Sequence, residues 1–212
     1  AGTGSSGGTS NWSNGFLPST YCGVPFRTRG TPILNLKSPA GVSIDGQRRN
    51  LDAINELNRK RLNLTGDSEI ANRIASYELA FRMQSAVPEL ADISGETEET
   101  RRMYGLEHTY EPTRIFAREC LLARRMVERG VRFIELTCPS VSGDRWDQHG
   151  NLKDGHENNA RAVDQPIGAL LTDLKRRGML EDTLVIWTGE FGRTPFAQGR
   201  DGRDHNPYGY TF

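Results

Sequence analysis

The sequence lacks several features that would assign it to a familiar class of protein. Its three cysteines, Cys22, Cys120 and Cys138, form no CxxC pair, which argues against a zinc knuckle or a dithiol redox motif. No apolar stretch approaches the length of a membrane span. Basic and acidic residues number 27 each, so the net charge is zero, and no basic stripe predicts binding to nucleic acid or to a membrane surface.

A targeting segment is also missing from the sequence. The first residues are small and polar, so they lack the apolar core of a signal peptide. The chain opens on Ala1 rather than on methionine and stops at Phe212 in a loop-like stretch. These ends predict a fragment of a longer protein.

The composition divides the chain into two parts. Residues 1–44 are rich in glycine, serine and proline, which predicts a loop and an extended surface segment. Residues 45–212 contain periodic apolar patterns and predict a partial α/β domain. The patterns predict helices over residues 45–64, 68–87, 94–104, 112–129 and 156–178.

Two short apolar runs, residues 131–137 and 183–187, have the β-branched and aromatic composition of buried strands. A single amphipathic helix separates them, which predicts a right-handed crossover unit with parallel strands in one sheet. We therefore expect an α/β fold with a mostly parallel sheet flanked by helices. Its carboxyl edge would bring the loop 138–154 beside Glu190.

Polar residues that could bind a metal ion follow both predicted strands. Mixed carboxylate and imidazole sets suit Zn, Mn, Mg or Ca, and a catalytic site keeps one coordination position open. The alternative is a pair of polar surface loops, in which Asp144 forms an Asx turn. The predicted metal ligands are Asp147, His149, Glu190, Asp204 and His205.

Two arginines in the same region are candidates for binding an anion. Arg193 and Arg203 flank the stretch after Glu190, and guanidinium forks match the oxygens of a sulfate or phosphate group. The alternative role is salt bridging at the surface. We expect both side chains to contact the oxyanion of an ester substrate.

Three motifs carry a resemblance to a known family. WDQHGN, which contains Asp147 and His149, together with LVIWTGEFGRTP and GRDHNP, resembles an uncharacterised bacterial sulfatase-like family of the alkaline phosphatase superfamily. The resemblance covers most of the chain. It implies a sandwich of helices around a parallel sheet, divalent metal at the carboxyl edge, a periplasmic or secreted location, and hydrolysis of small-molecule or carbohydrate sulfate or phosphate esters.

The resemblance also assigns residues by position. Asp147 and His149 match the family's ligand loop, and His205, with Asp204 beside it, matches a late histidine ligand. Glu190 stands where an Asp-His pair is usual, so a two-zinc site is in doubt. The resemblance places the nucleophile upstream of Ala1, and no sulfatase Cys-x-Pro-x-Arg motif occurs, so the chain alone is expected to be inactive.

Two other functions are compatible with these motifs. One is a non-catalytic protein that keeps the superfamily fold and binds a carbohydrate or a protein partner. The other is a phosphomutase or phosphodiesterase of the same superfamily. An upstream nucleophile would favour an enzyme over the binding protein.

Overall fold

A computed structural model describes residues 8–27, 30–34, 36–139, 141 and 146–209. This part of the chain divides into two compact units between Ile93 and Ser94, and the predicted division after residue 44 stays a prediction. The described residues form five α-helices and two short strands: α1 Ile44–Thr65, α2 Ser68–Ala91, α3 Glu98–Tyr104, α4 Glu111–Glu128, α5 Leu152–Arg176, β1 Gly192–Arg193 and β2 His205–Asn206.

The first unit is built on a hairpin of α1 and α2. The Ser43 side chain accepts a hydrogen bond from Gly46 N, which caps the start of α1. The helix ends at Gly66, which adopts a left-handed conformation with φ of 68°. Glycine adopts this conformation without strain because it has no Cβ atom. Asp67 then caps α2 by accepting from Glu69 N, so only two residues, Gly66 and Asp67, separate α1 from α2. The short 3-10 helices Gly8–Trp12 and Ser19–Tyr21 precede this hairpin.

Several helix ends differ from the predicted ones. Helix α2 continues through Pro88 to Ala91, because Leu90 and Ala91 are buried and Asp92 N donates to the Pro88 carbonyl. Helix α3 starts at Glu98 rather than at residue 94, since Thr97 supplies the cap by accepting from Thr100 N. Helix α5 starts at Leu152, four residues before its predicted start.

The second unit is organised around the pair α4 and α5. Both helices present a continuous apolar stripe, and the stripes pack against each other and against Tyr104 of α3. The side chain of Tyr104 is fully buried, and its hydroxyl donates to Asp173 of α5 at 3.1 Å. The buried apolar residues of the pair are Phe116, Ala117, Cys120, Leu121, Leu122, Ala123, Ala162, Val163, Ala169, Leu170 and Leu174.

A buried ion network joins the same helices. The Arg124 side chain is 3% exposed and lies 2.6 Å from Glu96 and 2.7 Å from Glu128. Its Nε atom is 3.1 Å from an oxygen of Asp173. Because these charges are removed from water, each depends on its partners for compensation.

The predicted α/β fold is wrong. Segments 131–137 and 183–187 form no strand, and the strands of the described residues are β1 and β2, which pair antiparallel. Apolar side chains in both segments are exposed, with Phe133 at 85% and Leu184 at 84%. Their composition suits a sheet, but a strand also needs a neighbour to accept its backbone hydrogen bonds, and the described residues supply none there.

None of the helices in the described part of the chain is long and apolar enough to span a membrane.

Candidate functional site

Two loops of the second unit meet in front of the first turn of α5. One comprises residues 146–151 and leads into the helix, and the other comprises residues 199–204 and leads into β2. Arg203 N donates to the carbonyl of Gln148 at 2.9 Å, and Leu152 N donates to the carbonyl of Asp201 at 3.0 Å. These backbone hydrogen bonds fix the register between the two loops, so side chains far apart in sequence become neighbours.

The contact between the loops requires a residue without a side chain. A Cβ atom on Gly202 would lie 1.9 Å from the carbonyl oxygen of His149 and 2.6 Å from the nitrogen of Gly150. No real Cβ atom tolerates such a distance, and both obstructing groups belong to the backbone. Gly202 therefore permits the approach that brings His149 beside the segment of Asp204 and His205.

The strands β1 and β2 place two further side chains. In their antiparallel register, Arg193 lies opposite His205. Thr194 N donates to the Asp204 carbonyl at 2.9 Å, and Asp204 N donates to the Thr194 hydroxyl at 3.0 Å, which extends the pairing beyond the strands. Since facing residues of an antiparallel pair are close, Arg193 and His205 reach the same oxygen of Asp147.

Three potential ligand atoms form a nearly equilateral triangle. Asp147 Oδ1 lies 3.2 Å from His149 Nε2 and 3.0 Å from His205 Nε2. The two Nε2 atoms are 3.2 Å apart. The side chains of Asp147 and His149 are both 48% exposed and that of His205 is 44% exposed, so solvent or a ligand can reach all three. We call Asp147, His149 and His205 the donor triangle.

The size of this triangle fits a first-row transition metal or zinc. With metal–ligand bonds of about 2.0–2.1 Å, ligand atoms lie about 3.3 Å apart in a tetrahedral site and about 2.9 Å apart in an octahedral one. The observed edges of 3.0 to 3.2 Å fall between these values. Three protein ligands also leave at least one position open, as catalytic metal sites do.

Asp204 contacts the opposite side of His149. Its Oδ1 atom lies 2.8 Å from His149 Nδ1, while Oδ2 accepts from Gln198 N at 2.7 Å. The hydrogen bond from His149 and then that from Gln198 hold the pKa of Asp204 below its usual value. The same bond to Asp204 raises the pKa of His149. A proton on Nδ1 leaves the Nε2 lone pair directed at the donor triangle.

Arg193 contacts the donor triangle by an ion pair with Asp147. Partial burial would raise the pKa of Asp147, but hydrogen bonds from His205 and Arg193 outweigh it and hold that pKa below its usual value. Asp147 is therefore ionised near neutral pH, as metal binding requires. On its other side, Arg193 lies 3.6 Å from the carboxylate of Glu190, which is 65% exposed.

The structure thus assembles part of the predicted ligand set. It groups Asp147, His149 and His205, places Asp204 behind His149, and leaves Glu190 beside Arg193 outside the group. Asp144 lies outside the described residues. The sequence analysis gave no role to Gly202, Thr194 or Phe191, whose ring packs 4.7 Å from that of His205. A glycine next to the Arg-Asp-His run was the available signal for Gly202.

An open cavity of about 700 Å³ adjoins the donor triangle. Its wall includes Arg193, which contacts Asp147 of the triangle, and Gln148, which lies between Asp147 and His149 in the sequence. The Trp146 ring borders it and contacts the His156 ring edge-on at 5.4 Å. The other lining residues are Leu152, Lys153, His156, Glu157, Thr194, Pro195 and Arg203.

Comparison with known proteins gives one family. The model of the family described as "Protein of unknown function (DUF1501)" matches residues 1–212. No curated protein and no solved structure gives a match. This result corrects the expected membership of a sulfatase-like family in the alkaline phosphatase superfamily, because the matching family is described only as one of unknown function and nothing in the comparisons supports that relationship. The upstream nucleophile implied by that resemblance loses its basis as well.

Proposed function

This chain belongs to the DUF1501 family of proteins of unknown function, and from its site we propose that it is a metal-dependent hydrolase of phosphate or sulfate esters. The observation that carries the proposal is the donor triangle. Two imidazole nitrogens and one carboxylate oxygen lie 3.0 to 3.2 Å apart on a surface open to solvent. Three donors at this spacing support binding of a single metal ion with open coordination positions.

The donor types favour particular ions. Mg and Ca prefer oxygen ligands, whereas two imidazoles and one carboxylate suit Zn or Mn. Asp147, His149 and His205 would hold the ion, and Asp204 would fix the ring of His149 through its Nδ1 atom. When bound, such an ion supplies Lewis-acid polarisation of an ester oxygen.

Arg193 supports the choice of an anionic ester. Its guanidinium contacts Asp147 and therefore lies at the border of the donor triangle, next to the cavity. A planar guanidinium can donate two parallel hydrogen bonds to a phosphate or sulfate group. It would orient the ester and stabilise the negative charge that increases on its oxygens during hydrolysis.

The proposal is tested first by metal binding. Zn²⁺ and Mn²⁺ titrations by calorimetry, and Co²⁺ titrations by absorption spectroscopy, should show one ion per chain. His149→Asn and His205→Asn should each weaken binding at least about 100-fold, since each removes one of three ligands. His108→Asn is the matched control, because His108 lies outside the triangle and an Asn oxygen can still accept from Tyr110 N.

Hydrolysis of 4-nitrophenyl phosphate and 4-nitrophenyl sulfate is the second measurement. Turnover should require the added ion and should be lost in the two triangle variants. Unchanged metal affinity in both variants would refute the metal site. One bound ion without turnover of either ester would instead favour the non-catalytic binding protein considered from the sequence.

A further inference from the structure

We propose that the cavity beside the donor triangle binds a second acidic group of the substrate through Arg203. This inference rests on the proposed ester hydrolysis and specifies its substrate class. The substrate would be a compact ester whose organic part carries a carboxylate or a further phosphate or sulfate group. The ester group would lie at the donor triangle, and the second group would lie at Arg203.

The first argument is the balance of charge in the cavity. Three cationic side chains and one carboxylate line it, namely Lys153, Arg193, Arg203 and Glu157. Lys153 is paired with Glu157 at 2.8 Å, and Arg193 is paired with Asp147. Within the described ranges, no carboxylate lies at salt-bridge distance from Arg203. Among the described residues of this wall, Arg203 is therefore the arginine whose charge no carboxylate compensates, and it can bind an acidic group other than the ester that Arg193 contacts.

The second argument is that the Arg203 guanidinium has donors to spare. Its NH1 atom donates to the carbonyl of Gly202 at 2.9 Å, which fixes the side chain in a half-buried position. A guanidinium carries five N–H groups, so this bond leaves others for an anion. Arginine binds carboxylate and phosphate oxygens with two parallel bonds, which gives it selectivity over a simple positive charge.

The third argument is distance from the reacting centre. Arg203 precedes His205 by two residues, so their Cα atoms are at most about 7 Å apart. Its backbone N–H is bound to Gln148, which lies between Asp147 and His149 in the sequence. The same loop contact thus positions both the donor triangle and Arg203. A small molecule can span the two points.

The fourth argument is the mixed character of the cavity wall. Trp146, Leu152 and Pro195 supply apolar surface in the same cavity as the charged groups. Pockets of this kind, apolar with a few placed polar groups, bind the organic part of a ligand and fix its orientation. A ligand with an acidic group at each end and an apolar centre matches this arrangement.

The test uses two phosphonates that cannot be hydrolysed, benzenephosphonate and 4-carboxybenzenephosphonate. Calorimetry measures their affinities for the whole chain, with and without Zn²⁺. In the unmodified protein the added carboxylate should tighten binding at least about tenfold, the usual value of a charge-assisted hydrogen bond. Arg203→Gln should reduce this ratio below about twofold. The backbone N–H that holds the loop is unaffected by that change.

Arg200→Gln is the matched control, since Arg200 is exposed in the same loop and does not line the cavity. It should keep the full ratio. His149→Asn should weaken both phosphonates equally in the presence of Zn²⁺ and leave their ratio intact, so loss of the metal site and loss of the second site are distinguishable. Equal affinity of the unmodified protein for both phosphonates, or an unchanged ratio in Arg203→Gln, would overturn the inference.

Discussion

The helix pair α4–α5 and the loops around the donor triangle gather charged groups in opposite ways. In the helix pair, Arg124 is buried among three carboxylates, and each charge of this network has a partner of opposite sign. In the loops, Asp147, His149 and His205 are about half exposed and bring one potential ligand atom each to within 3.2 Å of the others. The first arrangement compensates charge within the protein. The second leaves donor atoms available to a ligand, which is why we assign it a function.

The largest expected effect concerns the helix pair. Arg124→Ala removes the most deeply buried cation of the network and leaves Glu96 with Arg125, and Glu128 and Asp173 with the more exposed Arg177. We expect the free energy of unfolding to fall by about 3 kcal/mol, the lower end of the range for a broken buried ion pair, because each carboxylate keeps one arginine. Urea unfolding followed by circular dichroism measures it, with exposed Arg118→Ala on the same helix as control. A loss below about 1 kcal/mol would show that the network is not a stabilising element.

A second effect in the same helix depends on pH. Burial raises the pKa of Glu119 to about 7 from 4.5, so the folded state holds this proton more tightly than the unfolded state does. The associated stability is complete below pH 4.5 and is lost as the pH rises through about 7. The loss is at most about 3 kcal/mol.

Glu119→Gln isolates this contribution because it removes the titration and keeps the shape of the side chain. The difference in unfolding free energy between the variant and the unmodified protein should grow in favour of the variant as the pH rises from 4.5 to above 7. A difference that stays constant over that range would contradict the raised pKa.

The contact between the two loops should be breakable without unfolding the helices. Gly202→Ala would place a Cβ atom 1.9 Å from the carbonyl of His149, so the two loops must separate. We expect at least a roughly 100-fold loss of Zn²⁺ affinity, or about 2.7 kcal/mol, with the helical circular dichroism unchanged. Gly189→Ala is the control, as nothing lies within 4 Å of a Cβ atom there. Retained affinity would show that the contact of Gly202 with His149 does not hold the triangle together.

The smallest expected effect separates positioning from ligation. If Asp204 only orients His149, Asp204→Ala should lower Zn²⁺ affinity about tenfold, the lower end of the range for outer carboxylates. Asp204→Asn should restore most of it, because the amide oxygen can still accept from Nδ1. A loss as large as that in His149→Asn would indicate that Asp204 binds the ion directly.

By itself, the sequence determined the main helices and the residue types of the candidate site. The periodic apolar residues of α4 and α5 predicted both helices within four residues of their ends. An apolar stripe of that length at helical spacing is buried only when the segment is a helix packed on a core. Aspartate and histidine in the two polar loops predicted a metal site. In the structure, three of the five predicted ligands lie close enough together to contact one ion. These features are local, so a pattern of neighbouring residues can specify them.

Only the tertiary structure decided the sheet and the roles within the site. Segments 131–137 and 183–187 have the composition of strands, but a strand forms only where another backbone completes its hydrogen bonds. Adjacent residues Asp204 and His205 received the same role from the sequence, yet one faces His149 Nδ1 and the other faces Asp147. That distinction depends on the loop contact between Gly202 and His149, which are more than fifty positions apart in the sequence. A pattern of neighbouring residues therefore cannot predict it.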